Sequence, residues 1–163
     1  MREIISSGKT FQVFIGGKGS KTSLHSASEH NLFTQVYGKK HWYLYSPIND
    51  IIFKPPINRS PYFFSNFSPD NPDFNAFPSA KYVQALECEL NPGDVLFNPP
   101  SWWHHVTNLE NSIGVGFRWF SPLGSFKSSF TQTLLTVLST NPPIWTATKN
   151  RTDFAMIFKY MNK

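Results

Sequence analysis

Apolar positions in this chain fall in short runs, most of them rich in Val, Ile, Phe, Tyr and Trp, and Gly, Pro and Asn cut the runs apart. That texture predicts strands, because β-branched and aromatic side chains suit a pleated, half-buried surface. The first run covers residues 11–15 and is closed by Gly16, Gly17 and Gly19; others cover 22–25, 31–37, 41–46, 82–90, 95–98, 104–109 and 112–120. Gly38-Lys39 and Glu110-Asn111 predict hairpins between the strands they join. Asn91-Pro92-Gly93-Asp94 places a Pro-Gly pair at the centre of a type II turn.

The pattern changes twice. Residues 49–80 hold Pro55, Pro56, Pro61, Pro69, Pro72 and Pro78 among Asn, Ser and Phe, with no period. An insertion of that length inside a compact domain is expected either to cover a binding site as a lid or to be an ordered surface loop with aromatic anchors. After Gly124, Phe126, Phe130, Leu134, Leu135, Val137 and Leu138 recur at helical spacing, and residues 153–161 predict a second helix. Strands followed by helices predict an all-β core over residues 1–123, a double-stranded β-helix or jelly roll, with a helical segment over 124–163 packed on the barrel or dimerising it.

Composition narrows the setting. The 163 residues fit one domain, and 40% hydrophobic with 15% charged residues excludes a disordered chain or a coiled coil. The net charge of +5 is scattered, so nucleic acid is not indicated; the same sign also serves an anionic small ligand, and net charge does not separate the two. Cys88 is the lone cysteine, expected to be a small buried residue; it excludes an intramolecular disulfide and fits a reducing compartment. No apolar stretch approaches a membrane span and Met1-Arg2-Glu3 opens no signal-peptide core, so the expectation is a soluble, intracellular, cytoplasmic chain with no membrane contact.

Two short stretches carry candidate chemistry: His25-Ser26-Ala27 and Trp102-Trp103-His104-His105. A facial triad of two histidines and a carboxylate leaves open positions on a non-heme Fe(II) for cosubstrate and oxygen. Here Ala27 stands where the carboxylate belongs. One histidine lies where an early strand ends and the other where a late strand begins, and antiparallel strands of a jelly roll can bring those ends together.

Four stretches, in order, resemble the JmjC-like, cupin-fold Fe(II)/2-oxoglutarate-dependent oxygenases of the factor-inhibiting-HIF hydroxylase type. They are Gly19-Ser20-Lys21-Thr22-Ser23-Leu24-His25, Asn31-Leu32-Phe33-Thr34-Gln35-Val36-Tyr37-Gly38-Lys39-Lys40, Leu90-Asn91-Pro92-Gly93-Asp94-Val95-Leu96 and Pro100-Ser101-Trp102-Trp103-His104-His105-Val106. The resemblance runs from about residue 16 to residue 120. It implies Fe(II) and 2-oxoglutarate as cofactors, with His25 and His104 as metal ligands and Thr22, Asn31 and Lys40 as contacts of the dicarboxylate. It places Arg118 toward the pocket, where a small amide is expected, to bind a ligand carboxylate or to pair with an acid of the fold. The implied substrate is a protein side chain or a small molecule, and the resemblance of the C-terminal helices to dimerising helices implies a C2 homodimer.

The departure at Ala27 has three outcomes: an inactive site, recruitment of another ligand, or chloride in the vacant position, as in 2-oxoglutarate-dependent halogenases with Ala or Gly there. Glu29 shares the strand face of Ala27 but lies one strand step, about 6.6 Å, further along. His30 points to the opposite face, His105 alternates away from His104, and His41 opens a strand outside the motif. Trp102 and Trp103 are expected at the barrel rim. Two readings remain open: a hydroxylase-type oxygenase or close variant, and a catalytically inactive cupin-like protein that keeps the anion pocket.

Overall fold

A computed structural model describes residues 9–55 and 62–139. Nine strands occur among them: β1 (Lys9–Gly16), β2 (Lys21–Ala27), β3 (His30–Tyr37), β4 (Lys40–Tyr45), β5 (Tyr62–Phe64), β6 (Leu86–Leu90), β7 (Val95–Asn98), β8 (Trp103–Asn108) and β9 (Ser112–Trp119). They build two antiparallel sheets, in the orders β1-β9-β3-β7 and β5-β2-β8-β4-β6. Apart from the run β4, β5 and β6, which stay in the five-stranded sheet, strands adjacent in sequence lie in different sheets, which is the winding of a double-stranded β-helix.

The two expected hairpins are therefore not hairpins. β3 pairs with β7 and β9 while β4 pairs with β6 and β8, so the Gly38-Lys39 turn crosses from one sheet to the other. The same holds for β8 and β9 across Glu110-Asn111. Gly38 has φ 66°, and a Cβ there would fall 2.1 Å from the Asn111 carbonyl oxygen, so the two crossing turns touch backbone to backbone. The type II turn is present: Gly93 has φ 97° and Asp94 N–H donates to Asn91 O at 3.0 Å.

Two apolar cores follow from strand alternation. Between the sheets lie Phe33, Trp42, Leu44, Leu90 and Val106, with Phe14, Cys88, Leu96 and Trp102 packed against them; Cys88 itself is half-buried. On the outer face of the five-stranded sheet lie Leu24, Tyr45 and Trp103, covered by Phe53, Phe63, Phe67, Phe77 and Ala80 from the Pro-rich insertion. The described part of that insertion is thus ordered: it contains α1 (Asp50–Phe53), β5 and a 3-10 turn over Pro78–Tyr82. Among the described residues its phenylalanines anchor it to the back of the sheet, while β5 sets Tyr62 against Arg118 and Phe64 against His25. Pro78 starts the turn that buries Ala80, which is why the strand expected from residue 82 begins at Leu86 instead.

Behind β9 the single helical run is two helices, α2 (Pro122–Ser128) and α3 (Phe130–Ser139). Ser121 Oγ caps α2 by accepting from Gly124 N, and the chain breaks at Ser129, which is extended (φ −152°, ψ 110°) and donates its hydroxyl to Asp50 at 2.9 Å. The helix expected over 153–161 lies outside the described residues. Among the described residues no helix is long and apolar enough to cross a membrane.

Candidate functional site

His25 on β2 and His104 on β8 are cross-strand partners, with ring centroids 4.0 Å apart. A β-bulge between Thr22 and His25 re-aims the end of β2. Each ring is pinned by its Nδ1: that of His25 lies 2.8 Å from Ser23 O, and that of His104 lies 3.0 Å from Trp102 O. A carbonyl only accepts, so the His25 Nδ1 carries the proton and its Nε2 keeps its lone pair, the form in which imidazole binds a metal; the His104 Nδ1 also meets Asn98 Nδ2 at 3.2 Å, and it carries the proton toward Trp102 O when that amide turns its oxygen to the ring. Burial holds both rings neutral, lowering His25 to about 4 and His104 well below the usual histidine range; the Arg118 guanidinium pushes both further down.

One cavity of about 60 Å³ takes in both histidines and also Thr22, Asn31, Lys40 and Arg118, with walls of Phe14, Phe33, Trp42 and Val106. A water needs about 10–15 Å³ on this measure, so there is room for several waters or a small anion. All six residues singled out in the sequence are brought together here. Lys40 is 4% exposed and donates to Asn108 Oδ1, yet no carboxylate pairs with it among the described residues. Burial alone pulls its ammonium below the ordinary lysine range. Three further side-chain atoms of the lining are buried without partners: Asn31 Oδ1, Trp42 Nε1 and Arg118 Nε.

Arg118 answers one of its two sequence alternatives: its Nη1 donates to Tyr62 Oη at 3.0 Å and lies 3.6 Å from Glu29 Oε2. Glu29 therefore serves the guanidinium. Burial raises its carboxyl above the usual range while Arg118 holds it down. Ala27 pairs with Tyr62 of β5 and its carbonyl accepts from Ser101 N at 2.7 Å. Among the described residues no group of three His, Cys, Asp or Glu side chains stands close enough to hold a metal ion. Two imidazoles with a guanidinium in the same cavity do not complete an iron site. The dicarboxylate half does fit: a buried, uncompensated ammonium, a threonine hydroxyl and a second cation line one space.

The remaining histidines stand elsewhere. His105 faces the outer side and binds Asp70 Oδ2 at 2.9 Å, His41 lies 3.5 Å from Glu87, and His30 stacks on Trp119 and Phe97, whose rings also stack on each other. Trp103 is fully buried in the outer core rather than at the rim, because odd positions of β8 face that core and even ones face the barrel. Sequence reading missed Phe14, Phe33, Trp42 and Val106 in the pocket wall and Phe64, whose ring stacks 5.5 Å from His25. One signal was available for the wall: Gly114 and Gly116 on β9, where a Cβ would fall 2.2 Å from Phe33 Cζ and 2.9 Å from Asn31 Oδ1.

Fold and pocket define a class, the double-stranded β-helix proteins with a cavity inside the barrel. The Cupin-like domain family model matches residues 2–126, and the chain belongs to that family, as a JmjC/cupin-like member related to the 2-oxoglutarate oxygenases. JmjC domain-containing protein C of Dictyostelium discoideum is 39% identical over 124 residues, 72% of this chain and 30% of that protein. Lysine-specific demethylase 8 of Danio rerio is 36% identical over 68% of this chain and 27% of its own length. HSPB1-associated protein 1 of Homo sapiens is 38% identical over 63% and 22%. The chain thus spans less than a third of these relatives. Among solved structures, YcfD, a ribosomal oxygenase from Escherichia coli, superposes with TM-score 0.47 and 19% identity over 74% of this chain and 26% of that one.

Proposed function

We propose that this domain is a variant of the Fe(II)/2-oxoglutarate-dependent oxygenase centre, one that keeps the 2-oxoglutarate pocket and lacks the carboxylate arm of the metal site. The observation that carries the reading is Lys40. A buried ammonium without a counter-ion is unfavourable in a folded protein and becomes favourable when an anionic ligand enters. Thr22 and Asn31 add polar groups to the same lining, and the neutral rings of His25 and His104 border the same space. The relatives include proteins named as lysine-specific demethylases, so a protein side chain is the substrate class for hydroxylase-type turnover.

A second reading, a binding module without turnover, rests on Ala27 and on Arg118, whose charge opposes a cation between the two histidines. One experiment separates them. 2-Oxoglutarate is titrated into wild type and Ala27→Asp, with and without Mn(II), and succinate release is assayed with Fe(II). Succinate from wild type decides for an oxygenase. Binding without succinate, with succinate appearing only in Ala27→Asp, decides for the binding module. If neither protein binds 2-oxoglutarate under any condition, the proposal fails.

A further inference from the structure

The pocket sets two cations against an apolar floor, each over a different phenylalanine. The Phe14 and Phe33 rings lie 5.7 Å apart; Lys40 Nζ stands 6.0 Å from the Phe33 centroid, and Arg118 Cζ stands 5.6 Å from the Phe14 centroid. All four side chains line the one cavity. Arg118 spends only Nη1 on Tyr62 and Glu29, and its Nε–H is buried and unpartnered. Planar guanidinium groups bind carboxylates through two parallel N–H donors, so the Nε edge is the one left for a ligand. Lys40 has one neutral hydrogen-bond partner among the described residues, Asn108 Oδ1. Where the family's motif calls for a metal-binding carboxylate Ala27 offers none, and Arg118 adds positive charge to the cavity that His25 and His104 line.

We infer that this pocket holds a dicarboxylate without any metal ion: Lys40 takes one carboxylate, Arg118 the other, and the methylenes of the ligand lie over Phe14 and Phe33. The inference rests on the dicarboxylate reading above and goes beyond it by giving Arg118 the anchoring role that a metal has in an oxygenase. It makes the pocket selective for two negative ends on a short apolar chain. A monocarboxylate of the same length leaves either the Lys40 ammonium without an anion or the buried Arg118 Nε–H without an acceptor.

The test is calorimetric titration of the full 163-residue chain in excess EDTA with glutarate, 2-oxoglutarate and butyrate. Both dicarboxylates bind in the chelator, butyrate binds at least about tenfold more weakly, and adding Mn(II) in place of EDTA does not tighten them, as expected when each charged contact contributes separately. Glu29→Gln/Arg118→Gln removes the buried pair as a unit, so no lone charge is stranded, and weakens glutarate by about tenfold or more. Arg118→Lys, which keeps the charge, restores part of that loss and serves if the double variant does not fold. Dicarboxylate binding that requires Mn(II), or glutarate affinity unchanged in the Arg118 variants, overturns the metal-free clamp while leaving the proposed function standing. No binding with or without Mn(II) takes down both.

Discussion

The indole Nε1–H of Trp103 donates to the Asp50 carboxylate at 2.7 Å, and this bond fastens the strand that carries His104 to the insertion on the far side of the sheet. Asp50 is 4% exposed and also accepts from Gln132 Nε2 at 2.6 Å and Ser129 Oγ at 2.9 Å. Gln132 in turn accepts from Ser26 Oγ, beside His25, at 2.9 Å. One carboxylate thus joins α1, β8, β2 and α3 behind the histidine pair. A fully connected buried network of this kind positions what lies in front of it.

Asp50→Ala is expected to lower the unfolding free energy by about 2–4 kcal/mol, because the Trp103 indole N–H stays buried without its acceptor and Gln132 Nε2 keeps only its bond to Ser101 O at 3.0 Å. Asp50→Asn loses less, since an amide oxygen still accepts from the indole. Urea denaturation of the three proteins checks this ranking. Equal stability of wild type and Asp50→Ala would show that the network is incidental.

The same carboxylate carries a pH signature. Burial raises Asp50 above the usual carboxylate range despite the hydrogen bonds from Gln132, Trp103 and Ser129 that favour its ionised form. A raised folded-state pKa means the native state takes up a proton before the unfolded chain does, so this group's contribution to stability rises as pH falls through the folded pKa toward the ordinary value of 3.8. The stability of wild type relative to Asp50→Asn should therefore increase on acidification from neutral pH into that window. Glu29 and Asp70 titrate in both proteins and cancel in the difference. A gap that narrows on acidification reverses the sign and refutes the assignment.

Much of the fold was legible because turn chemistry and strand composition agree along the chain, as at Pro92-Gly93. What was not legible was pairing: a two-residue turn looks the same whether it closes a hairpin or crosses between sheets, and only the two stacked sheets show that Gly38-Lys39 crosses. β8 misled for a related reason. It is buried on both faces, with the barrel cavity on one side and the outer core on the other, so Trp103 and His105 give no polar alternation to mark a solvent side. The histidines, Thr22, Asn31, Lys40 and Arg118 were readable through the motif resemblance. The partners of Arg118 were not, because Glu29 lies in the bend after β2 and Tyr62 on β5, each brought to it only by tertiary packing.

Gly116 tests the pocket floor. A methyl group there would stand 2.9 Å from Asn31 Oδ1 and 3.2 Å from Phe14 Cε2. Gly116→Ala should push both into the cavity, destabilising the protein by about 1–3 kcal/mol as overpacking does, and weakening 2-oxoglutarate by about tenfold for a loss of that size. Gly17→Ala is the control, since its nearest atom is Asn111 Oδ1 at 4.0 Å. Comparable ligand-induced shifts in melting temperature for the two variants would place the ligand away from Asn31 and Phe14.

Lys40 sets stability against binding. Its ammonium is buried with Asn108 Oδ1 as hydrogen-bond acceptor, and that oxygen also accepts from Ser112 Oγ at 2.6 Å, so it stays satisfied if the lysine is removed. Lys40→Met therefore strands no partner and takes a desolvated charge out of the barrel. Replacing a buried ion by an apolar side chain of similar volume is often stabilising by about 1–4 kcal/mol, and the melting temperature of the ligand-free protein should rise by roughly 2–8 °C for a gain of about 1–2 kcal/mol. Saturating 2-oxoglutarate should then raise the melting temperature of wild type and leave that of Lys40→Met unmoved. The two readouts point opposite ways only if the lysine is kept for a ligand. A variant that melts lower than wild type yet keeps the full ligand shift would mean that Lys40 is structural and that the anion sits elsewhere.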